Sequence, residues 1–164
     1  MPATYEPIQT TTLSSTSTLV TFSSIPATYT DLFVACQIQR TSATMSMRIT
    51  VNNDTSALYS YTRFSAYSTT ALASDRITGG ANWQPWFNGA AFTNISSFNF
   101  NLLNYANTTT FKPALFKNAE AGGEMTVTVG TYQSTNAINR IDFTAASNSF
   151  AVGSTFTVYG IKAA

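Results

Sequence analysis

The side chains that could do chemistry are few in this chain, and they form no catalytic set. Its 164 residues include seven carboxylates, one cysteine and no histidine. Without histidine the chain holds no Ser-His-Asp triad, no Cys-His dyad and no histidine-ligated zinc. A pair of carboxylates is enough for glycoside hydrolysis, but none of the seven falls in a recognisable motif. Glu120 and Glu124 flank a Gly-Gly turn and Asp75 precedes Arg76, so we predict solvated turn charges there.

The single cysteine and the short polar turns also lack the patterns of reactive or metal-binding sites. Cys36 lies on the same alternating face as Val34 and Ile38, which predicts a small buried apolar side chain rather than a nucleophile. One cysteine cannot form an intrachain disulfide. The segment NND at 52–54 lacks the ordered ligand spacing of a calcium loop. We therefore expect no enzyme activity, no cofactor and no metal.

The strongest candidate for a binding segment is GGANWQPWFNG, residues 79–89, which contains both tryptophans of the chain. One interpretation is an exposed aromatic surface that anchors in a partner protein or stacks on sugar rings, since tryptophan is enriched at binding hot spots. The other is that both tryptophans cap an open end of the core. In the first interpretation three tyrosines line the same surface. The candidate contact residues are Trp83, Trp86, Phe87, Tyr59, Tyr61 and Tyr67.

Period-two alternation dominates the chain and predicts the strands that must position these residues. The alternating segments are 18–25, 32–39, 46–51, 57–64, 95–104, 110–116, 124–133, 139–145 and 153–161. Because proline cannot donate a hydrogen bond to a neighbouring strand, Pro113 predicts that its segment is an edge strand or contains a bulge. Residues 65–94 are predicted to be one long loop. We predict a single all-β domain over 1–164, a jelly-roll-like antiparallel β-sandwich of about eight or nine strands.

The composition argues against several classes of partner. Only 9% of the residues are charged, against about 25% in ordinary soluble proteins, and the net charge is +1. The eight basic residues form no cluster, so we expect no nucleic-acid binding. No apolar run reaches the length of a membrane span, and the N-terminus lacks the pattern of a signal peptide. A nearly neutral surface rich in hydroxyl groups is typical of proteins that pack against neighbouring subunits.

Several segments resemble a family of small virion-associated structural proteins of tailed bacteriophages, in particular those of marine bacteria and cyanobacteria. The segments are PATYEPIQTTTL, VTFSSIPATYTDL, NYANTTTFK and STNAINRIDF, followed by SFAVGSTFTVYGIK. The resemblance covers about 15–45 and 95–162. It is weakest over 65–94, which looks like the variable part of the family.

The resemblance implies a jelly-roll-like sandwich displayed on a virion and supplies no catalytic residues. Because the chain has no shaft segment, we expect a decoration or cement protein of the capsid, most often a trimer at a local symmetry axis. Its partners would then be the major capsid protein and copies of itself. The alternative is a small tail or fibre-tip protein that binds a host-surface glycan through residues 79–89. In both cases the protein is expected to be made in the bacterial cytoplasm and to reside in the virion.

Overall fold

Eleven strands and no helix are found in the part of the chain that the computed structural model describes, residues 4–42, 45–66, 72–85, 95–120 and 124–162. The strands are β1 Tyr5–Thr12, β2 Leu19–Phe22, β3 Asp31–Ile38, β4 Met47–Val51, β5 Tyr59–Ala66, β6 Leu72–Gly80, β7 Ser96–Leu102, β8 Lys112–Glu120, β9 Met125–Tyr132, β10 Ile141–Ala145 and β11 Thr155–Ile161. In these ranges no helix is long and apolar enough to cross a membrane.

The strands form two antiparallel sheets of unequal size. The large sheet has eight strands in the order β1-β11-β3-β7-β8-β9-β5-β6, and the small sheet has three in the order β2-β10-β4. All strand pairs run antiparallel. The predicted all-β antiparallel sandwich is therefore confirmed.

Aromatic side chains between the two sheets form much of the core. Phe143 of the small sheet lies 5.3 Å from Phe156 of β11 and 6.2 Å from Phe100 of β7, measured between ring centroids. All three are fully buried. Burying one such side chain stabilises the fold by about 1.5–3 kcal/mol. The small sheet thus covers the part of the large sheet around β11, β3 and β7.

The two strands that alternation did not predict are the two edges of the large sheet. β1 lies beside β11 at one edge, and β6 lies beside β5 at the other. The predicted loop over 65–94 is thus wrong in part, because β6 occupies Leu72–Gly80 within it. Every residue of β6 is exposed or half-buried. An edge strand held mainly by backbone hydrogen bonds buries too few side chains to impose an apolar period of two.

The predicted edge position of the strand that contains Pro113 is also wrong. This strand, β8, lies inside the large sheet between β7 and β9. Pro113 is its second residue, just outside the paired segment of β7, and its carbonyl accepts a hydrogen bond from the Leu103 amide at 3.0 Å. Proline has no backbone N–H to donate. Here the missing donor lies at the end of the β7–β8 ladder, where a sheet tolerates proline.

Candidate functional site

Trp83 is fully buried, so it is not part of an exposed aromatic surface. Its backbone forms an isolated bridge with Ile49 of β4 through two hydrogen bonds of 2.9 Å. Its indole ring lies 5.1 Å from the ring of Tyr59 and 5.3 Å from that of Phe116, measured between centroids. Trp83 is thus a core residue, which agrees with the interpretation that places the tryptophans in the core rather than on the surface.

The candidate tyrosines that the structure describes are buried as well. Tyr59 is fully buried, and its hydroxyl lies 2.8 Å from the Asp54 carbonyl oxygen and accepts from the Val51 amide at 3.0 Å. Tyr61 is buried beside Arg63, whose guanidinium lies 5.3 Å from the ring centroid. Burial raises the pKa of both phenols. These tyrosines are core residues, which corrects their assignment as contact residues. The other predicted contacts, Trp86, Phe87 and Tyr67, lie outside the described residues.

Close packing on Trp83 determines which face of β9 points inward. A Cβ atom placed on Gly130 would lie 2.8 Å from the Trp83 Nε1 atom, so only glycine fits beneath the indole ring. Two residues further along, the Tyr132 hydroxyl donates to Asp54 at 2.6 Å. Because side chains alternate along a strand, these two inward residues turn the odd-numbered residues of β9 outward.

Polar side chains on the inner face of β9 and its neighbours bind the segment that follows Trp83. The Thr128 hydroxyl donates to the Pro85 carbonyl at 2.8 Å, and Arg63 donates to the Gln84 carbonyl at 2.9 Å. Arg63 also forms an ion pair with Asp75, whose carboxylate is half-buried in β6 rather than a solvated turn charge. The inner face needs hydrogen-bond donors here because it packs against backbone carbonyls.

The outward turn of β9 creates an exposed apolar surface on the large sheet. We define the apolar patch as Phe64 of β5, Leu72 of β6, and Met125, Val127 and Val129 of β9. Phe64 is paired with Val127, and Ala66 joins Met125 to Leu72 across the sheet. The exposed fractions are 60% for Phe64, 83% for Leu72 and 60% for Met125. Four of the five side chains border a shallow groove of about 420 Å³.

The residue order by itself does not identify the apolar patch as a site. The alternation of MTVTVGTY separates Met125, Val127 and Val129 from the threonines but does not say which set is buried. Gly130 and Tyr132 lie on the same face as the threonines. A glycine and a large aromatic residue on that face were the only indication in the residue order that the threonine face is the buried one. An antiparallel sheet ordinarily buries its apolar face, so the reversal in β9 marks a surface that is unusual for a free sheet.

Glu120 and Glu124 are buried and are not solvated turn charges. Glu120 forms an ion pair with Arg40, and both side chains are almost inaccessible. Glu124 accepts a hydrogen bond from the Thr126 hydroxyl at 3.4 Å. Burial raises the pKa of both carboxyls. The nearby charge of Glu120 raises the pKa of Glu124 further, while Arg40 acts in the opposite direction.

Replacing Glu124 with Gln is expected to stabilise the protein at alkaline pH. A carboxyl with a raised pKa binds its proton more tightly in the folded state than in the unfolded state. The protein therefore loses stability as the pH rises above the ordinary glutamate pKa of 4.5 and through the raised pKa of Glu124. Gln keeps the size of the side chain and removes the buried charge. We expect the melting temperature at pH 8 to rise by about 2–4 °C, as measured by thermal denaturation.

Glu6→Gln is the matched control for this prediction. Glu6 lies near the surface, and hydrogen bonds from Lys162 and Tyr29 lower the pKa of its carboxyl. Removing that charge is expected to give no stabilisation at pH 8. A Glu124→Gln variant with a lower melting temperature than the wild type at pH 8 would contradict the assignment of a disfavoured buried charge.

The only cysteine of the chain is buried, and the acidic side chains of the described residues do not cluster as metal ligands. Burial raises the pKa of the Cys36 thiol, so this buried cysteine is not the thiolate that nucleophilic chemistry requires. Among the residues that the structure describes, no three acidic, histidine or cysteine side chains come together as metal ligands. A scan against protein-family models and a search of curated proteins find no match to this chain. The candidate site is the apolar patch, because a contiguous exposed apolar surface of this kind often marks a binding site.

Proposed function

We propose that this chain is a structural protein of a bacteriophage virion, without enzyme activity, and that it decorates the capsid by binding neighbouring protein subunits. The observation that carries this proposal is the apolar patch, whose outward orientation is imposed by Gly130 and Tyr132 on the opposite face of β9. The pairing register of β9 fixes the patch on the outside. A shift of that register by one residue would place a side chain where Gly130 now lies against Trp83.

The surface of the protein suits assembly into a crowded array. Each charged group that enters an interface must lose its hydration, which costs free energy unless a partner compensates it. A chain with 9% charged residues has few such groups to desolvate. The resemblance to small virion proteins of tailed phages also supports an assembly role. It suggests that the assembly is a phage virion, which low charge alone does not indicate.

The alternative of a glycan-binding fibre tip loses much of its basis. Stacking on a sugar ring needs an aromatic face that solvent can reach. Trp83, Tyr59 and Tyr61 have no such face, because all three are buried in the sandwich. We therefore prefer a protein partner to a glycan.

Copy number in purified virions tests the proposed function. Because a capsid surface repeats by symmetry, a decoration protein is expected at a copy number on the order of hundreds per particle. Quantitative mass spectrometry against labelled peptides, with the major capsid protein as the internal standard, measures this number. A dozen copies or fewer would place the protein in the tail, and its absence from virions would refute the proposal.

A further inference from the structure

Two exposed cations flank the apolar patch on the outer face of the large sheet. Lys117 of β8 is directly opposite Val127, and Arg76 of β6 is joined to Val129 through Thr62. Neither cation forms an ion pair or a side-chain hydrogen bond with another residue in the part of the chain that the structure describes. An apolar centre with a charged rim is the usual layout of a protein interface.

The carboxylates of the chain are already engaged with other residues of the same chain. All seven lie among the described residues, and each accepts at least one hydrogen bond there. The pairs are Glu6 with Lys162, Asp31 with Asn104, Asp54 with Tyr132, Asp75 with Arg63, Glu120 with Arg40, Glu124 with Thr126 and Asp142 with Arg140. Asp75 of β6 is paired with the buried Arg63, and the outward residues of β5, β8 and β9 include no carboxylate, so the outer face beside the apolar patch carries two positive charges without a compensating negative one there.

This charge pattern argues against a second copy of the chain as the occupant of the apolar patch. In a twofold dimer the same surface meets itself, so two copies of Lys117 and two of Arg76 would enter one contact. Like charges brought together at an interface are destabilising. In such a contact the outward residues of β5, β8 and β9 bring no carboxylate to neutralise these cations.

The exposure of the apolar patch suits the centre of a protein contact. The largest apolar patches on monomers cover roughly 300–600 Å² and are often functional. Three of its five side chains are at least 60% exposed, and Val127 and Val129 are about half exposed. A stable interface needs about 800 Å² from each partner, so the patch supplies the apolar centre and the strands around it supply the rim.

We infer that the apolar patch, with Lys117 and Arg76 at its rim, binds a different protein whose surface presents apolar side chains bordered by aspartate or glutamate. The inference rests on the proposed function, which supplies a neighbouring virion protein as the partner. The apolar contact holds the complex together, and the two ion pairs orient it and reject surfaces of like charge.

Carbodiimide cross-linking of intact virions tests which protein lies on this face. The reagent joins a lysine amine to a carboxylate only when the two are in contact. We expect Lys117 in an amide bond with an aspartate or glutamate of a different protein, identified by peptide mass spectrometry. The Lys162–Glu6 pair, 2.8 Å apart, is the internal positive control. Cross-links from Lys117 only to this same chain, or none while Lys162 reacts, would overturn the inference.

Incorporation of variants into virions provides the second test. Val127→Thr combined with Met125→Thr removes apolar surface, and Lys117→Glu reverses a rim charge; each is expected to lower the copy number at least tenfold. Val152→Thr, which alters an exposed valine away from the large sheet's outer face, is the control and should incorporate like the wild type. Each variant must first show the wild-type melting temperature.

The outcomes separate the two proposals. Wild-type protein that is absent from virions refutes the proposed function. Wild-type protein that is present, with patch and rim variants incorporated at the same level as Val152→Thr, refutes the assignment of this surface and leaves the proposed function standing.

Discussion

Deletion of residues 153–164 is expected to prevent folding of the chain. These residues include all of β11, which lies inside the large sheet between β1 and β3 rather than at an edge. Phe156 and Val158 of β11 are fully buried in the core. The deletion therefore removes two backbone ladders and detaches β1, which pairs with no other strand of those that the structure describes.

The expected loss exceeds what a domain of this size can tolerate. Burial of Phe156 and Val158 contributes about 1.5–3 kcal/mol for each side chain, and the exposed edge of β3 and the detached β1 add to that loss. Typical domains have a total stability of only about 5–15 kcal/mol. The soluble fraction after expression and a cooperative thermal transition measure the result.

Deletion of residues 163–164 alone is the matched control, since it leaves β11 intact and should melt like the full chain. A chain ending at residue 152 that stays soluble and melts cooperatively would contradict the assignment of β11 as an interior strand.

Replacement of Trp83 with Ala is expected to be the most damaging of the single substitutions considered. The indole ring contacts the rings of Tyr59, Phe116 and Tyr132, and its removal leaves a large cavity between the sheets. Comparable substitutions of buried aromatic residues cost about 3–5 kcal/mol. Equilibrium denaturation in guanidinium chloride measures this loss as a lower midpoint at an unchanged slope.

Trp83→Phe is the appropriate control. Phenylalanine keeps an aromatic ring in the core, and it removes the buried indole N–H, which finds no hydrogen-bond acceptor among the described residues. We expect Trp83→Phe to lower the free energy of unfolding much less than Trp83→Ala does. The remaining ring leaves a smaller cavity, and removing an unsatisfied buried donor offsets part of the lost packing. Wild-type stability of Trp83→Ala would show that the indole lies on the surface.

The burial of Trp83 also decides how a binding assay on this residue must be interpreted. A loss of cell or glycan binding in Trp83→Ala is expected to follow from unfolding, and it would carry no information about recognition. Substitutions in the apolar patch are better probes, because Val127 and Met125 point away from the core.

Strands that bury one face against the core were predictable from the sequence, whether inside a sheet or at the edge of the small one. β3, β4 and β7 alternate buried and exposed or half-buried residues, and the alternation of side chains in an extended chain makes this visible in the residue order. The edge strands of the large sheet, β1 and β6, were not predictable in the same way. Backbone hydrogen bonds hold β1 and β6 in place, and these bonds do not depend on residue type, so the sequence shows no clear pattern there.

The candidate site depended on the tertiary structure. The sequence alone determined that β9 has an apolar and a hydroxyl-bearing face, and that the chain holds no Ser-His-Asp triad and no Cys-His dyad because it has no histidine. Only the fold decided which face of β9 is exposed, because Gly130 must lie beneath Trp83, a residue 47 positions away in the chain. That packing exposes Val127 and buries Thr128, and contacts between distant residues of this kind cannot be deduced from local alternation.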